Sequence, residues 1–138
     1  MPLIDPPLPG YTIYDPVDPF ENRAGPFWWG RKADGSRHFV LRAEDRHCNT
    51  HGILHGGLMM TMIDLTLVAI AKKEPSERFV TVSLNSEFVA AASTGDLIEA
   101  QGTLVRRTRS LAFVRGEVTS GDTVLLTASA VLKSIGPQ

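Results

Sequence analysis

At 138 residues, 43% of them hydrophobic and 21% charged, the chain is long enough for one domain with its own core. A formal net charge of −1 gives no reason to expect nucleic acid or an anionic membrane as partner. Cys48 is the single cysteine, which excludes an intramolecular disulfide and suits a reducing cytoplasm.

The N-terminus, M-P-L-I-D-P-P-L-P-G, has no basic start and no continuous apolar run, so no export signal is expected and the expected location is cytoplasmic. Seven of the nine prolines fall in residues 1–26. Proline fixes its own φ and lacks a donor, so this stretch is expected to be an irregular, mostly extended lead-in to a single domain over 27–138. Phe27, Trp28 and Trp29 follow at once. Three large rings should dock on the body or cover a pocket, and core packing is the plainer account. Ala33-Asp34-Gly35-Ser36 is a turn signal, and Phe27–Lys32 with Arg37–Ala43 read as a hairpin.

After the loop Glu44–Leu54, almost every residue from Leu58 to Ala71 is apolar. This predicts a helix hydrophobic all round, which belongs in the middle of a fold. It is too short to span a bilayer. It should end near Lys72-Lys73, whose charges suit the negative end of the helix dipole, with Pro75 just beyond. Phe79–Val89, Asp96–Arg107, Ser110–Thr119 and Thr123–Ser134 read as strands. Turns as short as Ser93-Thr94-Gly95 and Ser120-Gly121-Asp122 make them antiparallel neighbours. The fold class predicted is α+β, a long antiparallel sheet wrapped around one central apolar helix.

The centre of that helix carries one charge, Asp64. An unpartnered carboxylate in an apolar interior costs several kcal/mol or more, and packing has no use for it, so it points to chemistry. Gly56-Gly57 opens the helix, where free N–H groups and the positive dipole end meet glycines that let a ligand come close. Such donors can form an oxyanion hole, or the glycines can serve tight packing alone. Asp64 lies eight residues beyond Gly56, roughly 12 Å along the axis at about 1.5 Å per residue. One small reacting group cannot touch both in a single chain, so a shared site predicts a two-fold dimer. His47, His51 and His55 are four apart, but Gly52 and Gly56 break any continuous helix and no acid completes a ligand set, so no metal is expected. Cys48 reads as a small packed or loop cysteine, not a nucleophile. Arg106, Arg107 and Arg109 crowd one turn, either simply solvated or clamping phosphate.

N-T-H-G-I-L-H-G-G-L followed by Asp64 resembles the N-x-x-G-x-x-H-G-G…D pattern of hotdog-fold acyl-CoA thioesterases. The group is the PaaI-like one, of the phenylacetic acid degradation and thioesterase superfamily member 2-like proteins. The resemblance covers about residues 37–135. It implies hydrolysis of an aryl- or medium-chain acyl-CoA to a free acid and CoA. Asp64 would be the nucleophile or general base. The Gly56 N–H of a partner chain would polarise the carbonyl, Asn49 and His55 would order the loop, and Thr81 would orient the acid or its water. Gly57, Met60 and Phe88 would line the substrate site. Arg106, Arg107 and Arg109 are the nearest candidates for the CoA phosphates. The resemblance further implies no cofactor, since coenzyme A is part of the substrate, and self-association as a dimer that pairs into a tetramer. The competing readings are a non-catalytic acyl-CoA sensor and another hotdog acyl-CoA enzyme such as a hydratase.

Overall fold

The computed structural model describes residues 5–137; the first four residues of the expected lead-in lie outside them. The elements are β1 (Thr12–Ile13), α1 (Pro19–Ala24), β2 (Trp28–Arg31), β3 (Arg37–Arg42), α2 (Gly56–Ala71), β4 (Glu77–Phe88), β5 (Leu97–Arg107), β6 (Leu111–Ser120) and β7 (Thr123–Pro137). The strands form one antiparallel sheet in the order β1-β2-β3-β5-β6-β7-β4. The predicted hairpin is β2–β3, with Trp28 opposite Val40 and Arg31 opposite Arg37. Between β3 and β4 the chain passes β5, β6 and β7 by way of α2, which puts β4 at the far edge. Strand β4 pairs with β7, and β5 with β3 and β6. The two are therefore not the antiparallel neighbours that the short turn between them predicts, because the chain after β4 returns across the sheet to the side of β3.

Two glycines seat the helix. Gly102 on β5 faces Gly116 on β6, and a Cβ on either would lie 3.0 Å from Leu67 Cδ2. Their missing side chains make the trough in which α2 rests. Met62, Ile63 and Leu67 project from the helix into a core with Phe39, Ile98 and Leu126, all fully buried. Each such side chain contributes roughly 1.5–3 kcal/mol of burial. Helix and wrapping sheet together make the hotdog fold that the motif implies. Among the described residues, no helix is long and apolar enough to cross a membrane.

Three further expectations are corrected. First, α2 is not covered all round. Gly57 is exposed and Met60, Thr61, Asp64 and Val68 are half-buried, a stripe at helical spacing that the sheet does not reach. Apolar patterning hides this stripe, because Met60 and Val68 look like core. Second, α2 ends beside Lys72-Lys73 as expected, but Lys72 is its C-cap and Lys73 lies beyond, so neither lysine is in the last turn. The guanidinium groups of Arg37 and Arg107 donate instead to the terminal carbonyls of Ala69 and Ala71, which suits the dipole equally well. Third, the lead-in is not wholly irregular. Asp18 accepts from the Glu21 N–H at 2.8 Å and Pro19 occupies the first helical position, so the prolines that elsewhere break structure here start α1.

The lead-in is tied down at Tyr11 and at its C-terminal end. The Tyr11 hydroxyl meets His38 Nδ1 at 2.7 Å, and His38 Nε2 meets Glu99 Oε1 at 2.8 Å. Burial lowers the His38 pKa, against the opposing pull of Glu99. At the other end, His47 accepts from the Glu44 N–H through Nδ1 and donates through Nε2 to the Gly25 carbonyl. Phe27 and Trp28 are buried in the core and Trp29 is half-buried, edge-on to Tyr14 and stacked on Phe39.

Candidate active site

Asp64 sits halfway along α2 on the uncovered stripe. Thr81, on β4, donates its hydroxyl to Asp64 Oδ1 at 2.7 Å. This fixes one carboxylate oxygen and leaves the second without a hydrogen-bond partner among the described residues. The pair opens on a cavity of about 400 Å³ with an apolar wall of Met60, Leu65 and Leu84. Ser86 holds Met60 in place by donating to its sulfur at 2.9 Å.

The start of α2 is built by the loop before it. Asn49 Oδ1 accepts from the N–H groups of His51 and Ile53 at 2.9 and 3.3 Å, closing a side-chain turn around Gly52, whose φ is +74°. His55 is the N-cap. Its own N–H goes to the His47 carbonyl at 2.9 Å, and its Nδ1 accepts from the Gly57 N–H at 2.8 Å. The Gly57 donor is therefore engaged within the chain. No acceptor among the described residues meets the Gly56 N–H, which leaves the first donor of the helix open. A Cβ on Gly56 would lie 3.0 Å from the ring of Phe88, a side chain 58% exposed at the end of β4. Asn49, His55, Gly56, Gly57 and Phe88 are thus brought together at one end of the stripe, and Asp64, Thr81 and Met60 further along it.

The arginine cluster does not hold together. Arg107 pairs through both terminal nitrogens with Glu77, lies over the Phe79 ring at 4.9 Å and closes the end of α2. A guanidinium fork engaged with a carboxylate is not open to phosphate. Arg106 and Arg109 are exposed and make no ion pair among the described residues. The histidines form no metal face: His47 spends both ring nitrogens on the backbone, His55 caps the helix, and His51 is exposed.

Sequence reading missed the contribution of α1. Asp18, Phe20 and Glu21 line the Asp64 cavity opposite α2. The signal was the Asp18-Pro19 pair, a cap followed by proline at the first helical position.

A family model of the thioesterase superfamily matches residues 51–127, from the glycine-rich loop into β7. An esterase-named protein of Pseudomonas aeruginosa is 33% identical over 115 residues, covering 82% of this chain and 86% of its own length. Human acyl-coenzyme A thioesterase 13 is 28% identical over 110 residues, 79% of each chain. The crystal structure of a thioesterase protein of Streptococcus pneumoniae with coenzyme A superposes with a TM-score of 0.72 at 17% identity, over 81% of this chain and 90% of that one. With the H-G-G motif at the head of a sheet-wrapped helix and an acid on its open stripe, the chain belongs to the thioesterase superfamily, as a PaaI-like hotdog thioester hydrolase.

Proposed function

We propose that the protein hydrolyses an aryl- or medium-chain acyl-coenzyme A to a free acid and coenzyme A. The observation that carries this reading is the Asp64–Thr81 pair, set on an apolar-walled cavity along the same stripe as an open helix N-terminus. The coenzyme is supported by the names of relatives: the human one acts on acyl-coenzyme A, and the pneumococcal one was crystallised with coenzyme A. The reading invokes no resident cofactor or metal.

Asp64 acts through the oxygen that Thr81 leaves unengaged. Either it takes a proton from a water that attacks the thioester carbon, or it attacks that carbon itself and water then opens the anhydride. Both routes break the C–S bond, and the departing sulfur leaves as the coenzyme A thiol once protonated. Negative charge gathers on the carbonyl oxygen during attack, and the Gly56 N–H of a second copy faces it, strengthened by the dipole of that helix. Asn49 and His55 act one step back, holding the loop and the cap that fix this donor.

A second copy is required because the two groups sit eight residues apart on one helix, about 12 Å. An antiparallel pair that sets Gly56 of each helix against Asp64 of the other brings Met60 opposite Met60, on the same uncovered stripe. The outer edge of β4 supports this pairing: it is the unpaired side of a 12-residue strand, with Val80 and Val82 45% and 60% exposed. Long apolar edges of this kind are templates for another strand.

The decisive experiment replaces Asp64 by Asn, which keeps the shape and the acceptor for Thr81. The variant is expected to match the wild-type circular dichroism spectrum and lose roughly 10²–10⁴ of its turnover on acyl-coenzyme A. Wild-type turnover would remove Asp64 from the mechanism. Tight thioester binding by both proteins, without hydrolysis by either, would favour the sensor reading.

A further inference from the structure

The open donor at Gly56 can serve a reaction only if its direction is fixed, and a helix does not fix its own first turn, since helix ends fray. The chain before it does. Around Gly52 the loop folds back on itself: the Asn49 N–H donates to the Ile53 carbonyl at 2.8 Å, and the His55 N–H to the His47 carbonyl at 2.9 Å. His47 therefore stands directly across from His55, the residue before the donor.

The His47 ring is what holds His47. It is buried, and both its nitrogens meet main-chain groups at 2.9 Å, Nδ1 the Glu44 N–H and Nε2 the Gly25 carbonyl. An N–H can only donate and a carbonyl can only accept, so the two bonds assign one tautomer, neutral with its proton on Nε2. Arg46, beside it in the turn Asp45–His47, donates to the same Gly25 carbonyl. Gly25 is the C-cap of α1, the helix that forms one wall of the Asp64 cavity. The ring thus ties down the end of α1, while the carbonyl of the same residue ties down the approach to α2. All of these partners belong to one chain. Packing alone does not account for the residue, because an apolar side chain of similar size would fill the space. Two bonds of opposite sense add one required position and one required orientation.

We infer that His47 is a positioning residue for the proposed hydrolysis, holding the Gly56 N–H in line with the oxygen it polarises. The inference rests on the donor role given to Gly56 above and adds the residue that aims it. His47 acts through the His55 main chain, not by contact with the thioester.

His47→Phe keeps a ring of similar shape and makes neither bond. A misplacement of about 1 Å can cost roughly 10²-fold, so this variant should lose roughly 10- to 100-fold in kcat. Affinity for a non-hydrolysable coenzyme A thioether, which has no carbonyl for the donor to meet, should stay within about twofold, and KM with it. The carbonyl of a bound thioester reports the donor directly. In Asp64→Asn, which slows hydrolysis, the infrared carbonyl band of bound, isotope-labelled acyl-coenzyme A should lie below that of the free thioester. Adding His47→Phe should return the band toward the free value. His47→Asn, which keeps an acceptor for the Glu44 N–H, should give an intermediate band and recover part of the kcat.

Wild-type kcat or an unmoved band in His47→Phe would overturn the inference, and so would affinity lost in step with kcat, the mark of a merely structural role. If His47→Phe does not fold, the same readings on His47→Asn decide, and wild-type kcat with an unmoved band overturns the inference there too. A band not lowered even with His47 intact would remove the Gly56 donor and its positioning together. The hydrolase reading is tested separately, by the loss of turnover in Asp64→Asn.

Discussion

Thr81 shows how little of a site one residue need carry for its role to be testable. It is exposed on an edge strand, so its replacement should change stability by no more than about 0.5 kcal/mol. Its hydroxyl, however, is the one side-chain group that holds Asp64 among the described residues. A hydrogen bond to a charged acceptor contributes about 1.5–3 kcal/mol. Thr81→Val should therefore keep the melting temperature and lose roughly 10- to 100-fold in kcat, whereas Thr81→Ser should restore most of it. Equal rates for the two variants would show that the hydroxyl does not hold the acid. At this scale the sequence was legible where a residue type is out of place, with Asp64 in an apolar run and Gly56-Gly57 at its head, whereas Asn49 was visible only through the motif that resembles the family's. Glu21 was not legible, because an acid in a proline-rich stretch looks solvated until α1 folds against the stripe.

Among the elements, α2 decides what the others must do, and both its ends are closed by side chains that lie outside it. His55 caps the start, where the motif made it visible. The far end depends on Arg107, which bridges the Ala71 carbonyl and the Glu77 carboxylate from β5. Local signals favoured Lys72-Lys73 for this role. They could not reveal Arg107, because its pairing with Glu77 spans thirty residues. The Arg107 guanidinium, helped by the Lys73 N–H and the Ser134 hydroxyl, holds the Glu77 pKa at about 2, below its ordinary 4.5. A carboxylate with a depressed folded-state pKa adds stability that is fully present above the unfolded value and is lost as the pH falls through the folded one. The clasp should therefore support the fold above about pH 4.5 and fade toward pH 2. Arg107→Met should cost roughly 1–2 kcal/mol by urea titration at pH 7 and flatten the acid limb of the stability profile. It should leave affinity for coenzyme A thioesters nearly unchanged. A large loss of that affinity with unchanged stability would return Arg107 to the phosphate site.

As a whole molecule, the single chain is open in one direction. The sheet covers α2 on every side except the stripe through Gly57, Met60, Asp64 and Val68, and β4 ends the sheet with an open edge. Both features escaped the strand-by-strand reading, because an apolar residue on an open stripe looks in sequence like one in the core. The helix arithmetic nonetheless pointed to a shared site, and it can be tested without a structure of the assembly. Gly56 is the first helical residue, and His55 before it is already extended at φ −64° and ψ 132°. Proline is favoured at the first helical position after an extended residue and removes only the N–H. Gly56→Pro should therefore fold, with Phe88 turning aside, and be as inactive as Asp64→Asn. The two inactive proteins are then unfolded together and refolded. If each site takes Asp64 from one chain and Gly56 from the other, a mixed dimer has one site with both groups intact and one with neither. Random reassociation makes about half the dimers mixed, so about a quarter of wild-type activity should return. If both groups act within one chain, every site in the mixture carries one lesion and no activity returns. The proportion recovered thus reads the geometry of the site directly, and a mixture no more active than its parents would refute the two-chain mechanism while leaving the fold and the family intact.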